Sequence, residues 1–150
     1  GVTAPTPAQL VEKLARGKCL AVAKDHPGAL VLGCDPVVDV GGEVFGKPHS
    51  VENAKRMLRA LSGATHEVHT GVCVSDGLRT ESFVDSCKVT FFPIPEEEID
   101  AYTATKEPYD KAGAYAIQGR AALWLDRLEG DYYTIMGLPV SRTARLLSRF

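Results

Sequence analysis

Ala29-Leu30-Val31-Leu32-Gly33-Cys34-Asp35-Pro36 is the stretch on which the fold turns. The run before Asp35 is continuously apolar, which reads as a buried strand in a sheet covered on both faces. Proline has no N–H to give to a ladder, so the strand is expected to end, or to lie at an edge, at Asp35-Pro36. Upstream, residues 8–23 bring Leu10, Leu14 and Val22 to helical spacing, with Glu12, Lys13 and Arg16 on the other side. Downstream, Gly41-Gly42 marks a turn. Ser50 suits the N-cap of a helix over 51–61, with Glu52 in its first turn and Gly63 just past its end. Two strand-like runs follow, 67–74 and 81–92, joined through Asp76-Gly77 by a loop longer than two residues. Pro95-Glu96-Glu97-Glu98 opens a helix expected to run to about Thr105. Residues 121–128 read as a strand and 139–150 as a closing helix, with Arg142, Arg145 and Arg149 on its polar side. Helices and strands alternate and one hairpin interrupts them, so the fold class is α/β: a mixed, mostly central β-sheet flanked by helices.

The 150 residues have the size of one domain, large enough to bury roughly two-thirds of the chain's surface on folding. Hydrophobic residues at 45% and charged residues at 24% exclude a disordered chain. Seventeen basic against nineteen acidic residues give a net charge of −2, which predicts no general attraction to nucleic acid or to an anionic membrane. No apolar run approaches the roughly 20 residues of a membrane span, and no signal-peptide pattern is visible. Cys19, Cys34, Cys73 and Cys87 form no CxxC pair and have no histidine at zinc-like spacing. The expectation is reduced, structural thiols in a cytoplasmic protein.

Asp35 stands where open α/β sheets place their ligands. A carboxylate there can act as a general base or a metal ligand, or can simply turn the chain before Pro36. Lys47, in Gly46-Lys47-Pro48 just ahead of a helix, suits an anionic group such as phosphate. Its plain alternative is a solvated surface charge, and Lys18 on the first helix stands between the same two readings. Gly113-Ala114-Tyr115-Ala116-Ile117-Gln118-Gly119 has the composition of a loop that brings backbone close to a ligand. The Gln118 amide donates and accepts at once, as reading a nucleobase edge requires; an ordinary turn with a surface glutamine is the alternative. The run matches neither GxGxxG nor a Walker A loop. His66 and His69 fall on opposite faces of a strand and make no paired metal site. Val68, Val72, Val74, Phe83, Val89 and Phe91 are expected in the core; Tyr132 and Tyr133 are expected in the core or a dimer contact, with partial exposure as the alternative.

Several blocks, in order, resemble the Maf family of nucleoside triphosphate pyrophosphatases. They are Leu14-Ala15 with Lys18, then Leu32-Gly33-Cys34-Asp35-Pro36-Val37-Val38, Phe45-Gly46-Lys47-Pro48 and Arg56-Met57-Leu58-Arg59-Ala60-Leu61-Ser62-Gly63. Thr65-His66-Glu67-Val68 follows, then the strongest block, Asp110-Lys111-Ala112-Gly113-Ala114-Tyr115-Ala116-Ile117-Gln118-Gly119. Glu129-Gly130-Asp131-Tyr132-Tyr133 and Gly137-Leu138-Pro139 complete the set, so the match spans nearly the whole chain. The resemblance implies hydrolysis of a nucleoside triphosphate between the α and β phosphates, giving a monophosphate and pyrophosphate. It implies Asp35 as the proton acceptor and as a ligand of a divalent metal, Mg²⁺ or Mn²⁺. It implies Lys18 and Lys47 on the phosphates, and Gln118 and the position of Pro36 in base selection. The form of the late block is similar to that of the branch acting on dTTP and UTP. Removal of non-standard nucleotides, a linked restraint on septation, and a cytoplasmic homodimer are further family expectations.

Two departures stand out. The family's Ser-x-Ser-Pro-Arg-Arg loop and the glutamate after it are not in these residues. Residues 1–150 are therefore read as a single Maf-like domain without the N-terminal strand and phosphate loop. Such a chain is expected to be weak in catalysis and to expose a sheet edge. That makes a catalytically impaired nucleotide-binding or interaction module the alternative function; an inosine-triphosphate pyrophosphatase of the same broad fold fits the Gly-Lys-Pro and Ile-Gln-Gly blocks less well. The second departure is Pro36, which removes the side-chain hydrogen bond that threonine or glutamine supplies after the aspartate.

Overall fold

The computed structural model describes all residues from Gly1 to Phe150. Five helices and five strands form in the order α1 (Pro7–Asp25), β1 (Val31–Val40), β2 (Glu43–Phe45), α2 (Val51–Leu61), β3 (Thr65–Ser75), β4 (Thr80–Phe91), α3 (Glu96–Thr103), β5 (Leu125–Glu129), α4 (Tyr132–Met136) and α5 (Val140–Leu147). The strands make one sheet in the order β2-β1-β3-β4-β5. β1 and β2 pair antiparallel, as do β4 and β5, the latter with an irregularity at Thr90/Phe91. This is the α/β architecture that the alternating pattern predicts.

The chain divides into two compact units. The first comprises Gly1–Pro36, His69–Ser86 and Asp131–Phe150; the second comprises Val37–Val68 and Cys87–Gly130. In the first, α1 begins at the Thr6 cap, whose hydroxyl accepts from the Gln9 N–H at 3.2 Å. Its buried stripe is Val11, Ala15, Cys19 and Ala23, small residues at helical spacing. Opposite them stand two glycines. A Cβ on Gly33 of β1 would lie 3.0 Å from both the Ala15 carbonyl oxygen and the Cys19 Cβ. A Cβ on Gly71 of β3 would overlap the Val11 carbonyl. The missing side chains let the helix lie directly on the strands.

In the second unit, α2 begins at Ser50, whose hydroxyl accepts from the Asn53 N–H at 3.0 Å, and Gly63 takes φ 64° just after it. Leu58 and Leu61 of α2, Phe91, Ile99 and Tyr102 are almost wholly buried. Phe91, Tyr102, Tyr115 and Trp124 pack edge to face at 5.0–6.1 Å between centroids.

The structure corrects several expectations. β1 does not stop at Asp35-Pro36 but runs on to Val40. β2 pairs only with Val38–Val40, so the edge of β1 at Pro36 has no partner strand there, and an absent N–H is tolerated. Nor is the apolar run buried on both faces, since Leu30 and Leu32 are exposed and Cys34 is half-buried. β2 itself, after the Gly41-Gly42 turn, is too short to leave a periodic signal. Residues 121–128 are not one strand: Arg120–Trp124 coil into a 3₁₀ helix and only Leu125–Glu129 pair. Tyr132 and Tyr133 lie outside the core at 38% and 50% exposure, and Phe83 is half-buried.

Candidate active site

Three of the sequence-derived candidates meet in the first unit. Gly33 holds β1 against α1, and the next outward residue on the same strand face is Asp35. Lys18, one residue before the buried Cys19, reaches it: Nζ stands 2.9 Å from Asp35 Oδ2, with the lysine side chain 62% exposed and the aspartate 14%. A shielded carboxylate thus meets a solvated ammonium that keeps donors for another oxygen ligand. Burial, and then the Asp35 charge, push the neighbouring Cys34 thiol above its ordinary range, so it is a poor nucleophile. Pro36 continues the strand and is met from outside by Gly137, the left-handed cap of α4 at φ 106°, where a Cβ would lie 3.6 Å from the Pro36 Cγ. A buried carboxylate, Asp85, supports that cap: it accepts from the Thr134 hydroxyl of α4 and pairs with Arg142 of α5 at 3.3 Å.

Lys47 and Gln118 belong to the second unit, and both are exposed. The Gly46 carbonyl accepts from the Gly113 N–H at 3.1 Å, tying the Gly46-Lys47-Pro48 loop to the late glycine-bounded run. Gly113 sits at φ 75°, where a Cβ would stand 2.7 Å from a Val38 methyl, so only glycine fits. Lys111, at 2.8 Å, and then Lys47 hold the exposed Asp110 carboxyl below its ordinary range, which puts both lysines' positive field at one spot. The structure therefore pairs Lys18 with Asp35 and Pro36, and joins the Lys47 loop to the run that carries Gln118.

Asp35 passes a simple test as a divalent-ion ligand. Its Oδ2 takes the lysine and its Oδ1 is a hard oxygen donor. One or two carboxylates completed by substrate phosphates is the donor set that Mg²⁺ ordinarily takes. The four cysteines form no disulfide, and Cys19, Cys73 and Cys87 are buried. His66 and His69 are both buried and each bonds within its own unit, to the Tyr115 hydroxyl and the Ser86 hydroxyl respectively, both at 2.7 Å. Sequence reasoning missed Asp85, Tyr102 and Glu107, whose partners are distant in sequence and leave no local spacing; the glycine at 119 was the only trace of Glu107.

One unit thus carries a lysine-paired carboxylate on β1, and the other a glycine-framed lysine loop. The family model described as "Maf-like protein" matches residues 2–150, and the chain belongs to that family. It is 47% identical over 145 residues to the dTTP/UTP pyrophosphatase of Bacillus cytotoxicus, covering 97% of this chain and 76% of the relative. The enzymes of the same name from Bacillus mycoides and Bacillus velezensis are 46% and 47% identical over the same length, covering 76% and 77% of those relatives.

Proposed function

We propose that this chain is a nucleoside triphosphate pyrophosphatase that hydrolyses dTTP and UTP to the monophosphate and pyrophosphate. The observation that carries the reading is the Lys18–Asp35 pair, a shielded carboxylate at 2.9 Å from a solvated ammonium. In this reaction the water oxygen bonds to the α-phosphorus as the bond from that phosphorus to the α–β bridging oxygen breaks. Asp35 takes the proton of the attacking water, and pyrophosphate departs with the bridging oxygen. Lys18 orients the carboxylate and offers its remaining donors to phosphate oxygens, while Lys47 supplies a second positive charge for the triphosphate. Gln118 reads the base, and Pro36 leaves selection at its own position to shape rather than to a side-chain hydrogen bond.

A magnesium or manganese ion held by Asp35 and by the substrate's phosphate oxygens would neutralise the charge that grows on the leaving pyrophosphate. The working form proposed is a cytoplasmic homodimer that needs neither nucleic acid nor membrane. Four cysteines without a disulfide suit a reducing compartment, and no helix is long and apolar enough to cross a membrane. The test is incubation with Mg²⁺ or Mn²⁺ and a panel of nucleoside triphosphates, with pyrophosphate and orthophosphate measured separately. Pyrophosphate release strongest with dTTP and UTP is expected. Orthophosphate alone, or no release from a folded sample, would sink the reading.

A further inference from the structure

Gln118 is exposed at the third position of a tight turn, closed where the Gly119 N–H donates to the Ala116 carbonyl at 3.0 Å. Ile117 anchors this turn with a side chain only 5% exposed. The Ala116 N–H donates to the Tyr102 hydroxyl at 3.2 Å, and Tyr102 is itself fully buried against Trp124. The Glu107 carboxylate, which also faces the Tyr102 hydroxyl, fills the space over Gly119 so completely that a Cβ on that glycine would overlap it. Burial, and after it the facing Glu107 carboxylate, push the Tyr102 phenol above its ordinary range, so the hydroxyl stays protonated. Glu107 therefore packs over the end of the turn at Gly119, while the Tyr102 hydroxyl holds its start at Ala116.

We propose that Glu107 is a positioning residue for base recognition, acting through the turn that presents Gln118. This inference rests on Gln118 reading the base. Uracil and thymine offer a ring N–H donor beside carbonyl acceptors, whereas cytosine offers a ring acceptor beside an amino donor. A side-chain amide can turn over and satisfy either pattern, because it carries both an acceptor and donors. Discrimination thus needs a fixed point of attachment from which one orientation reaches the base. Glu107, packed over Gly119, supplies that constraint without touching the nucleotide.

The experiment measures affinity for α,β-methylene analogues of UTP and CTP by calorimetry, beside kcat and KM for UTP. Glu107→Ala is expected to lower the UTP-to-CTP affinity ratio by about tenfold, the scale of one lost hydrogen bond. KM for UTP should rise while kcat stays within about twofold, the mark of lost binding that is uniform along the reaction. Glu107→Gln keeps the shape over Gly119 and should recover most of the ratio. Gln118→Ala serves as the reference. A ratio that falls in Gln118→Ala but not in Glu107→Ala overturns the positioning role. A ratio unmoved by Gln118→Ala overturns the base reading and this inference with it, while pyrophosphate release by the parent judges the hydrolase reading separately. Should Glu107→Ala fail to fold, Tyr102→Phe removes both the acceptor for Ala116 and the hydroxyl that faces Glu107, and must lower the ratio; no change there overturns the proposal.

Discussion

The Lys18 ammonium meets the Asp35 carboxylate at 2.9 Å on a surface where the lysine is mostly solvated and the aspartate is not. An ion pair with one exposed partner contributes at most about 1 kcal/mol to stability. Its value is therefore chemical. Asp35→Asn keeps the shape and removes the proton acceptor, so turnover should fall about 10²- to 10⁴-fold while nucleotide binding and the melting temperature hardly move. Lys18→Met should also leave the melting temperature nearly unchanged and raise KM for the triphosphate. Pyrophosphate release, calorimetric binding and thermal melts check all three; undiminished turnover in Asp35→Asn would remove that residue from the mechanism.

Gly33→Ala tests how the pair is held. The added methyl would sit 3.0 Å from the Ala15 carbonyl, a backbone atom that cannot swing aside, so α1 must lift. The overpacking should cost about 1–3 kcal/mol in urea unfolding. Because Lys18 rides on that helix, activity should fall by more than stability alone explains. Gly71→Ala forces a methyl into the Val11 carbonyl and should destabilise more, with the same signature. A Gly33→Ala protein as active and as stable as the parent would show that the close approach is not needed.

What the sequence revealed was local chemistry. Ser50, Glu52 and Gly63 mark α2 to the residue because a cap, a first-turn charge and a left-handed stop act within one turn of chain. The Asp76-Gly77 hairpin was legible for the same reason, the Asp76 side chain accepting from the N–H groups of Leu78 and Arg79. Pro36 marks a strand edge rather than a strand end, because the rule against proline in strands presumes a partner on both sides, and at that point β1 lacks one. Lys18 and Asp35 could be named individually, but their meeting depends on Gly33 and Ala15, a packing fact with no period. The Asp85–Thr134 and Glu107–Gly119 contacts join residues far apart in the chain, and no spacing rule reaches them.

His66 predicts an acid-sensitive second unit. Burial lowers its pKa from 6.5 to about 4, and its Nδ1 is buried without a hydrogen-bond partner while Nε2 meets the Tyr115 hydroxyl. The folded value lies below the unfolded one, so between these values the unfolded chain binds the extra proton. Stability from this group is complete above pH 6.5 and is lost as pH falls toward 4, by about 3 kcal/mol at 1.36 kcal/mol per unit. Urea unfolding of the parent at pH 7 and pH 4 should show this loss. In His66→Gln, which has no titrating ring, the pH-dependent difference should shrink by most of that amount; an unchanged pH profile would place the titration elsewhere.

Asp85 is the sharpest test of how the α4 cap is kept against Pro36. The carboxylate is 7% exposed, and its two oxygens serve two helices, the Thr134 hydroxyl of α4 through one and Arg142 of α5 through the other. Thr134 is committed on its other side too, since its carbonyl accepts from the Thr70 hydroxyl at 2.7 Å. Asp85→Ala would strand a fully buried hydroxyl, which costs about 1–3 kcal/mol on top of the lost charged bond. Asp85→Asn keeps an acceptor for Thr134 and loses the charge that faces Arg142, a pairing weakened by the arginine's 65% exposure, so it should cost less than half as much. Arg142→Ala should then be nearly silent. Urea midpoints order the three variants directly. If Arg142→Ala proved as damaging as Asp85→Ala, the ion pair rather than the buried hydroxyl bond would be what fastens these helices to β4.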